Sequence, residues 1–223
     1  MDVLGLVPAR GGSRGIPGKN LAPLAGKPLL AWTCEQALAS ERLTRVAVST
    51  DSEEIAAAAR ALGVEVIERP PELANDDTPM LPVVAHALEA TGADTVVLLQ
   101  PTSPLRRASD IDAAVDLWHE TGADSVVSVT RVPHQFTPGS QLRQAADGRL
   151  EPYEDGTAGS RHEKPVLYAR NGPAVLVVGA ATVHAGSLYG GHARGYEMST
   201  LDSVDIDDLE DLELAELLLS RRG

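Results

Sequence analysis

The sequence predicts an α/β fold, a mostly parallel sheet with helices on both faces. Three observations point there. Short β-branched or leucine-rich runs alternate with longer segments of helical spacing. The runs are apolar throughout, as in strands buried on both faces. And 223 residues are enough for one core of this kind, so the chain is taken as a single domain, 1–223. A content of 43% hydrophobic and 23% charged residues sets aside disordered, collagen-like and low-complexity classes.

The elements follow in order. Val3 to Val7 is the first strand and Leu29 to Ala39 the first helix. Next come a strand at Val46 to Ser49, a helix at Glu53 to Leu62 capped by Ser52, and a strand at Val64 to Ile67. A helix at Met80 to Ala90, a strand at Thr95 to Leu99, a helix at Ile111 to Glu120 capped by Ser109, and a strand at Ser125 to Val129 continue the rhythm. From Pro133 to Arg161 it stops, and this Pro-, Gly-, Gln- and Asp-rich stretch reads as a loop or arm. A strand at Ala174 to Val178 and a helix from Asp208 to Leu219 close the chain, with Leu212, Ala215 and Leu219 expected to face the sheet. In such sheets ligands bind beyond the carboxyl ends of the strands.

Charge excludes some partners. With 19 Lys and Arg against 32 Asp and Glu, the formal net charge is −13. That argues against general nucleic-acid binding, because a phosphate backbone would be repelled by most of the surface. The single cysteine, Cys34, rules out a disulfide framework or a Cys-based zinc cluster and suits a reducing compartment. The longest apolar run, Pro173 to Val183, is shorter than the ~20 residues of a spanning helix, and the N-terminus lacks a basic signal-peptide start. A cytoplasmic protein with no membrane partner is expected.

The charge is also polarised along the chain. The first 27 residues hold Arg10, Arg14, Lys19 and Lys27 against Asp2, whereas Asp202 to Glu216 holds acids and no Lys or Arg. Directly after the first strand comes Val7-Pro8-Ala9-Arg10-Gly11-Gly12-Ser13-Arg14-Gly15-Ile16-Pro17-Gly18-Lys19-Asn20. Glycines bring backbone N–H groups close to a ligand, and Arg and Lys offer charge-assisted hydrogen bonds to phosphate. The spacing matches neither the P-loop nor G-x-G-x-x-G. The segment is either a polyphosphate cradle or a solubilising surface loop, and its place at the first strand end favours the cradle.

Two further segments carry chemistry. Gln100-Pro101-Thr102-Ser103-Pro104 follows a strand, so its polar groups should emerge at the carboxyl edge of the sheet. Gln100 and Ser103 can hold sugar hydroxyl or carboxylate groups, or the segment is a turn whose hydroxyls satisfy its own backbone. Arg106 reads as a surface or pairing residue. Asp205 and Asp207 share a face if their segment is extended and could hold one hard cation, Mg²⁺ being the natural choice; the alternative is simple helix capping. The six histidines show neither zinc nor triad spacing, and Cys34 and Trp32 read as core residues.

The run from Pro8 to Asn20 closely resembles the signature loop of the acylneuraminate cytidylyltransferase (CMP-sialic acid synthetase) family. Four more matches follow in order: Ser49-Thr50-Asp51-Ser52-Glu53-Glu54-Ile55, Arg69-Pro70-Pro71-Glu72-Leu73-Ala74, Gln100 to Arg106, and Ser203-Val204-Asp205-Ile206-Asp207 with Asp211-Leu212. The resemblance implies a Rossmann-like, usually dimeric nucleotidyltransferase that transfers CMP from CTP to an acidic keto-sugar, with Mg²⁺, and releases pyrophosphate. By the same resemblance Arg10 and Lys19 bind the triphosphate and stabilise the leaving group, helped by Ala9, Gly11, Gly12 and Ser13. Asn20 contacts the nucleotide, or is a turn residue. Arg69 lies near the base, or is a strand exit. Gln100, Thr102, Ser103, Arg161 and Asn171 hold the acceptor, and Asp205 and Asp207 hold the metal. No histidine is placed as general base, which leaves Asp207 or a bound water. Residues 133–161 become a dimerisation and acceptor arm.

Departures cluster on the acceptor side. Met80 stands where a small hydroxyl residue is common, Tyr168-Ala169-Arg170 precedes Asn171-Gly172, Val175 replaces an expected aromatic, and Phe136 to Ser140 lacks a basic residue. A nonulosonic acid other than N-acetylneuraminate is therefore a credible acceptor. Two alternatives stay open: another NTP with a different acidic or sugar-phosphate acceptor, and a nucleotide-binding regulator without turnover.

Overall fold

The strand that opens the chain becomes the middle of the sheet. In the computed structural model, which describes residues 1–12, 15–153 and 166–222, β1 (Val3–Pro8) alternates between two cores: Val3 and Val7 enter one, Leu4 and Leu6 the other. Gly5 between them makes room for a neighbour, since a Cβ there would stand 2.6 Å from Leu43 Cδ1.

A two-residue hairpin, β2 (Pro23–Leu24) and β3 (Lys27–Pro28), leads into α1 (Leu29–Leu38), β4 (Arg45–Thr50), α2 (Glu53–Ala61) and β5 (Glu65–Glu68). Then come α3 (Met80–Thr91), β6 (Thr95–Leu98), α4 (Ala108–Thr121) and β7 (Ser125–Arg131). The chain ends with β8 (Leu142–Gln144), β9 (Leu150–Pro152), β10 (Tyr168–Arg170), β11 (Leu176–Gly179), α5 (Ala180–His184), β12 (Ala193–Glu197) and α6 (Leu209–Ser220).

β5, β4, β1 and β6 lie side by side and parallel; β11 runs antiparallel between β6 and β7, and β10 and β12 both pair with β7. The chain moves outward from β1 to β5, then returns to place β6 on the other side of β1. Strand order therefore reverses between β1 and β6, which opens a crevice at their carboxyl ends. Helices α1, α2 and α4 cover one face through Leu30, Cys34, Ile55, Ala59, Ile111 and Ala114. Helices α3 and α5 cover the other through Val84, Ala87, Leu88 and Val183. The predicted α/β architecture, mostly parallel and covered on both faces, is what forms. Among the described residues no helix is long and apolar enough to cross a membrane.

Four local expectations need correction. Ser52 does cap α2, accepting from Ile55 N, but Ser109 lies inside α4; there the Asp110 carboxylate accepts from the Arg107 N–H at 2.8 Å. Helix α6 does not face the sheet. Its Ala215, Leu212 and Leu219 pack in a separate cluster with Ile16, Leu24, Leu29 and Ile206. Arg106 is not at the surface: it is 1% exposed, and its Nη1 donates to the carbonyls of Ala174 and Gln100. The segment read as a loop between Pro133 and Arg161 contains the β8–β9 hairpin, and its residues 154–161 lie outside the described ones.

Candidate functional site

A cleft of about 340 Å³ occupies the crevice between β1 and β6. Pro8 lines it from the end of β1, Arg10, Gly12, Gly15, Lys19 and Asn20 from the loop that follows, Gln100 and Thr102 from the segment after β6, and Asp207 from the segment before α6. The loop starts by extending the sheet, since Ala9 N donates to Ser49 O at 2.9 Å, and Gly11 N donates to Asp51 Oδ1 at 2.9 Å. A side chain at Gly11 would press on Ser52, whose Cβ would stand 3.1 Å from the added Cβ.

The loop and the late aspartates, which carry opposite charge, meet in this cleft. Lys19 Nζ donates to Ile206 O at 2.6 Å and lies 3.5 Å from Asp207 Oδ1. At Gly15 a Cβ would be 2.3 Å from the Asp207 carbonyl oxygen, so only glycine permits this approach. Ile16 from the loop and Ile206 from between the two aspartates are buried in the same small cluster under α6. Apolar burial thus joins two segments that charge alone would leave at the mercy of solvent screening.

Asp207 is exposed to the cleft, while Asp205 is turned inward toward the segment after β6, where Ile206 N donates to Thr102 O at 2.8 Å. Burial pushes the Asp205 carboxyl above the ordinary carboxylate range; nearby Asp207 acts in the same direction, against Thr102, Lys19 and Ser103. Asp205 Oδ1 is buried without a hydrogen-bond partner. A buried carboxylate oxygen left unpaired next to an exposed carboxylate suits a hard divalent cation. Among the described residues no third His, Cys, Asp or Glu completes a cluster, so the remaining positions around such a cation would fall to water.

The other cations are held in place. Arg10 Nη1 pairs with Asp76 Oδ1, and the Asn20 side-chain amide donates to Arg10 O at 3.0 Å. Arg69 is 7% exposed and clamps the end of β4, donating from Nη2 to Ser49 O at 2.7 Å and from Nε to Ser49 Oγ at 3.1 Å. Burial brings its guanidinium down to about 10, with Asp51 raising it and Arg10 lowering it, so it stays charged at neutral pH and still lines the cleft.

On the acceptor side Gln100 donates to Gly172 O at 3.2 Å, and Gln100 and Thr102 face the cleft. Ser103 is fully buried beside the Asp205 carboxyl, and Asn171 is 5% exposed. Neither of these two lines the cleft. Ser13 and Arg161 lie outside the described residues. Five cleft residues were given no role by sequence reasoning: Pro8, Gly15, Asp76, Met80 and Pro101. Asp76 belongs to an Asp-Asp pair whose partner, Arg10, is 66 positions away, beyond any local spacing rule.

Comparison with known proteins places the chain in a family. The family described as cytidylyltransferase matches residues 4–222. The chain is 36% identical over 216 residues to an N-acylneuraminate cytidylyltransferase of Escherichia coli, covering 96% of this chain and 51% of that protein. It is 34% identical over 229 residues to a CMP-N,N'-diacetyllegionaminic acid synthase of Legionella pneumophila, covering 98% and 97%. In fold it matches a CMP:2-keto-3-deoxy-manno-octonic acid synthetase complexed with CTP, with a TM-score of 0.78 at 18% identity and both chains fully covered. The chain spans about half the length of the N-acylneuraminate cytidylyltransferases it matches. A family match over nearly all of its length, on a sheet whose switch-point cleft joins the cationic loop to the aspartate segment, means that the chain belongs to the cytidylyltransferase family.

Proposed function

We propose that this chain transfers CMP from CTP to a hydroxyl of a nonulosonic keto-sugar acid and releases pyrophosphate. The observation that carries the reading is the meeting of Lys19 with Asp207 and Ile206 in the cleft where strand order reverses. The CTP complex of the structural neighbour and the CMP-acid synthases among the relatives support it.

The reaction is an in-line displacement: the acceptor oxygen attacks the α-phosphorus, its bond to phosphorus forms, and the bond to the pyrophosphate oxygen breaks. Arg10 and Lys19, with the N–H groups of Gly11 and Gly12, hold the triphosphate and take up negative charge growing on the leaving group. Asn20 fixes the loop by gripping the Arg10 carbonyl. In this reading Arg69 contacts the base, Gln100 and Thr102 orient the acceptor, and Asp207 or a bound water takes its proton. Asp205 and Asp207 would hold the divalent cation, Mg²⁺, which would neutralise phosphate charge when bound. The exposed Phe136, Leu142, Leu150 and Tyr153 of the arm support a homodimer joined through it. A cytoplasmic setting goes with the single thiol.

Incubation with each NTP, Mg²⁺ and a panel of nonulosonic acids tests the proposal. Pyrophosphate release with CTP alone is expected. Equal use of ATP or GTP rejects the cytidylyl assignment, and tight CTP binding with no product from any acid points to a regulator without turnover.

A further inference from the structure

Asn171 is the residue that the sequence resemblance places in the sugar pocket, but its side chain is already fully engaged. The amide oxygen accepts from Ser128 Oγ at 2.6 Å and from Ala174 N at 3.4 Å. The amide nitrogen donates to Ser203 Oγ at 2.9 Å and reaches Met198 Sδ at 3.3 Å. An amide offers two acceptor and two donor positions, so none is left for a ligand.

The polarity of the chain of bonds is fixed at both ends. Ser128 Oγ accepts from Val175 N at 2.9 Å, so its one proton goes to Asn171. Ser203 Oγ donates to Ser199 O at 2.7 Å, so it accepts from Asn171. The network links the core strand β7 to the segment that leads, two residues later, to Asp205. The next residue, Gly172, has φ +119°, and a Cβ there would lie 3.2 Å from Ser103 Oγ and 3.6 Å from Asp205 Oδ2. The Asn171–Gly172 corner is therefore tied to the aspartate segment by the hydrogen bond at Ser203, and any side chain at position 172 would come up against Ser103 and Asp205.

From this geometry we infer that Asn171 is a positioning residue for the cation-holding segment rather than a contact to the acceptor. The inference rests on the proposed role of Asp205 and Asp207. Within a buried network each bond is directional, and loss of the amide would free the Ser199–Ser203 turn to shift the carboxylate it precedes.

The test uses Mn²⁺ binding followed by electron paramagnetic resonance, with CTP present and no acceptor, so that nothing turns over. Asn171→Ala is expected to weaken Mn²⁺ binding about 10- to 100-fold, as removal of a ligand-orienting partner does elsewhere. Ser203→Ala, which cuts the same link from a half-buried position and leaves the β7 side of the network intact, is expected to do likewise. The double variant should lose no more than the weaker-binding single variant, because both changes remove one hydrogen bond. Steady-state assays should show the Mg²⁺ half-saturation rising while the acceptor KM moves less than about twofold, well below the effect on metal. The inference is overturned if Asn171→Ala raises the acceptor KM with metal binding unchanged, or if Ser203→Ala binds Mn²⁺ like the parent. Parent-like Mn²⁺ binding by Asp207→Asn would remove the metal assignment itself, and this inference with it.

Discussion

Lys19 Nζ donates to the backbone carbonyl of Ile206 at 2.6 Å, across 187 positions of sequence. A neutral carbonyl holds the ammonium in place without cancelling its charge, and the Asp207 carboxylate 3.5 Å away balances it only in part. The arrangement keeps a cation held at the wall of the cleft with its charge only partly balanced.

Lys19→Ala should therefore lower kcat by about 100-fold or more, the usual consequence of removing one preorganised charge from a leaving-group site. Lys19→Arg should recover only part of this, since a planar fork does not reproduce a compact ammonium. Pyrophosphate release at saturating CTP measures both, and a parent-like kcat for Lys19→Ala would remove the residue from the reaction.

Gly15→Ala tests the contact between loop and aspartate segment from the steric side. Its Cβ would stand 2.3 Å from the Asp207 carbonyl oxygen, so the backbone must separate and carry Asp207 away from Lys19. A fall of at least about tenfold in kcat/KM is expected, because displacements near 1 Å at a reacting site carry costs of that size or more. Gly18→Ala is the control. It meets nothing within 4 Å and bears only the strain of its φ of +63°, so its effect should fall mainly on melting temperature. Similar kinetics for the two variants would show that the close approach is unimportant.

The repeating strands and helices were legible because continuous apolar runs alternate with segments of helical spacing, and β1, β4, β6 and β7 lie within a residue or two of their expected bounds. The loop was legible as a cation-bearing glycine segment, and its sharing one site with Asp207 was implied by the family resemblance. What actually joins them, Ile16 packed with Ile206 under α6, was not visible: two isolated isoleucines carry no periodic signal. Arg106 was misread because arginine in a Pro-rich segment usually faces solvent, whereas here two backbone carbonyls draw it into the core. Hydrogen-bond networks such as Ser128–Asn171–Ser203 depend on contacts between distant segments and leave no local trace.

Cys34 offers a pH test of the core. Burial pushes its thiol from 9.0 up to about 12, with Arg106 opposing and Glu35 adding to the shift. Between those values the folded state keeps a proton that the unfolded chain releases, so stability falls as pH rises; below pH 9.0 the group contributes no slope. Urea unfolding from pH 7 upward should show parent and Cys34→Ala running parallel at first, with the parent then declining more steeply, by at most about 1.4 kcal/mol per pH unit. Parallel curves at every pH would contradict the shift.

The arm should control assembly. Leu142 and Leu150, 58% and 63% exposed on the β8–β9 hairpin, would be covered in a dimer built through this segment. Leu142→Asp with Leu150→Asp is expected to give a monomer by light scattering at micromolar concentration while leaving the sheet folded by circular dichroism. A parent protein that is already monomeric, or a charged double variant that remains a dimer, removes the arm from the interface.

Asp76 bears on how the cleft receives its nucleotide. Its carboxylate pairs with Arg10 Nη1 on the wall of the cleft, the same guanidinium assigned to the triphosphate. An arginine cannot make its best bidentate contact with phosphate while a carboxylate holds one side of its fork, so nucleotide binding must compete with this pair. Asp76→Asn keeps the shape, removes the charge and leaves a weaker partner. The KM for CTP should fall severalfold with kcat little changed, and the gain should shrink as salt rises, because the competing attraction is electrostatic and partly exposed. If Asp76 instead aims Arg10 at the phosphates, the same substitution will raise the KM, and the direction of that one change decides between a competitor and a guide.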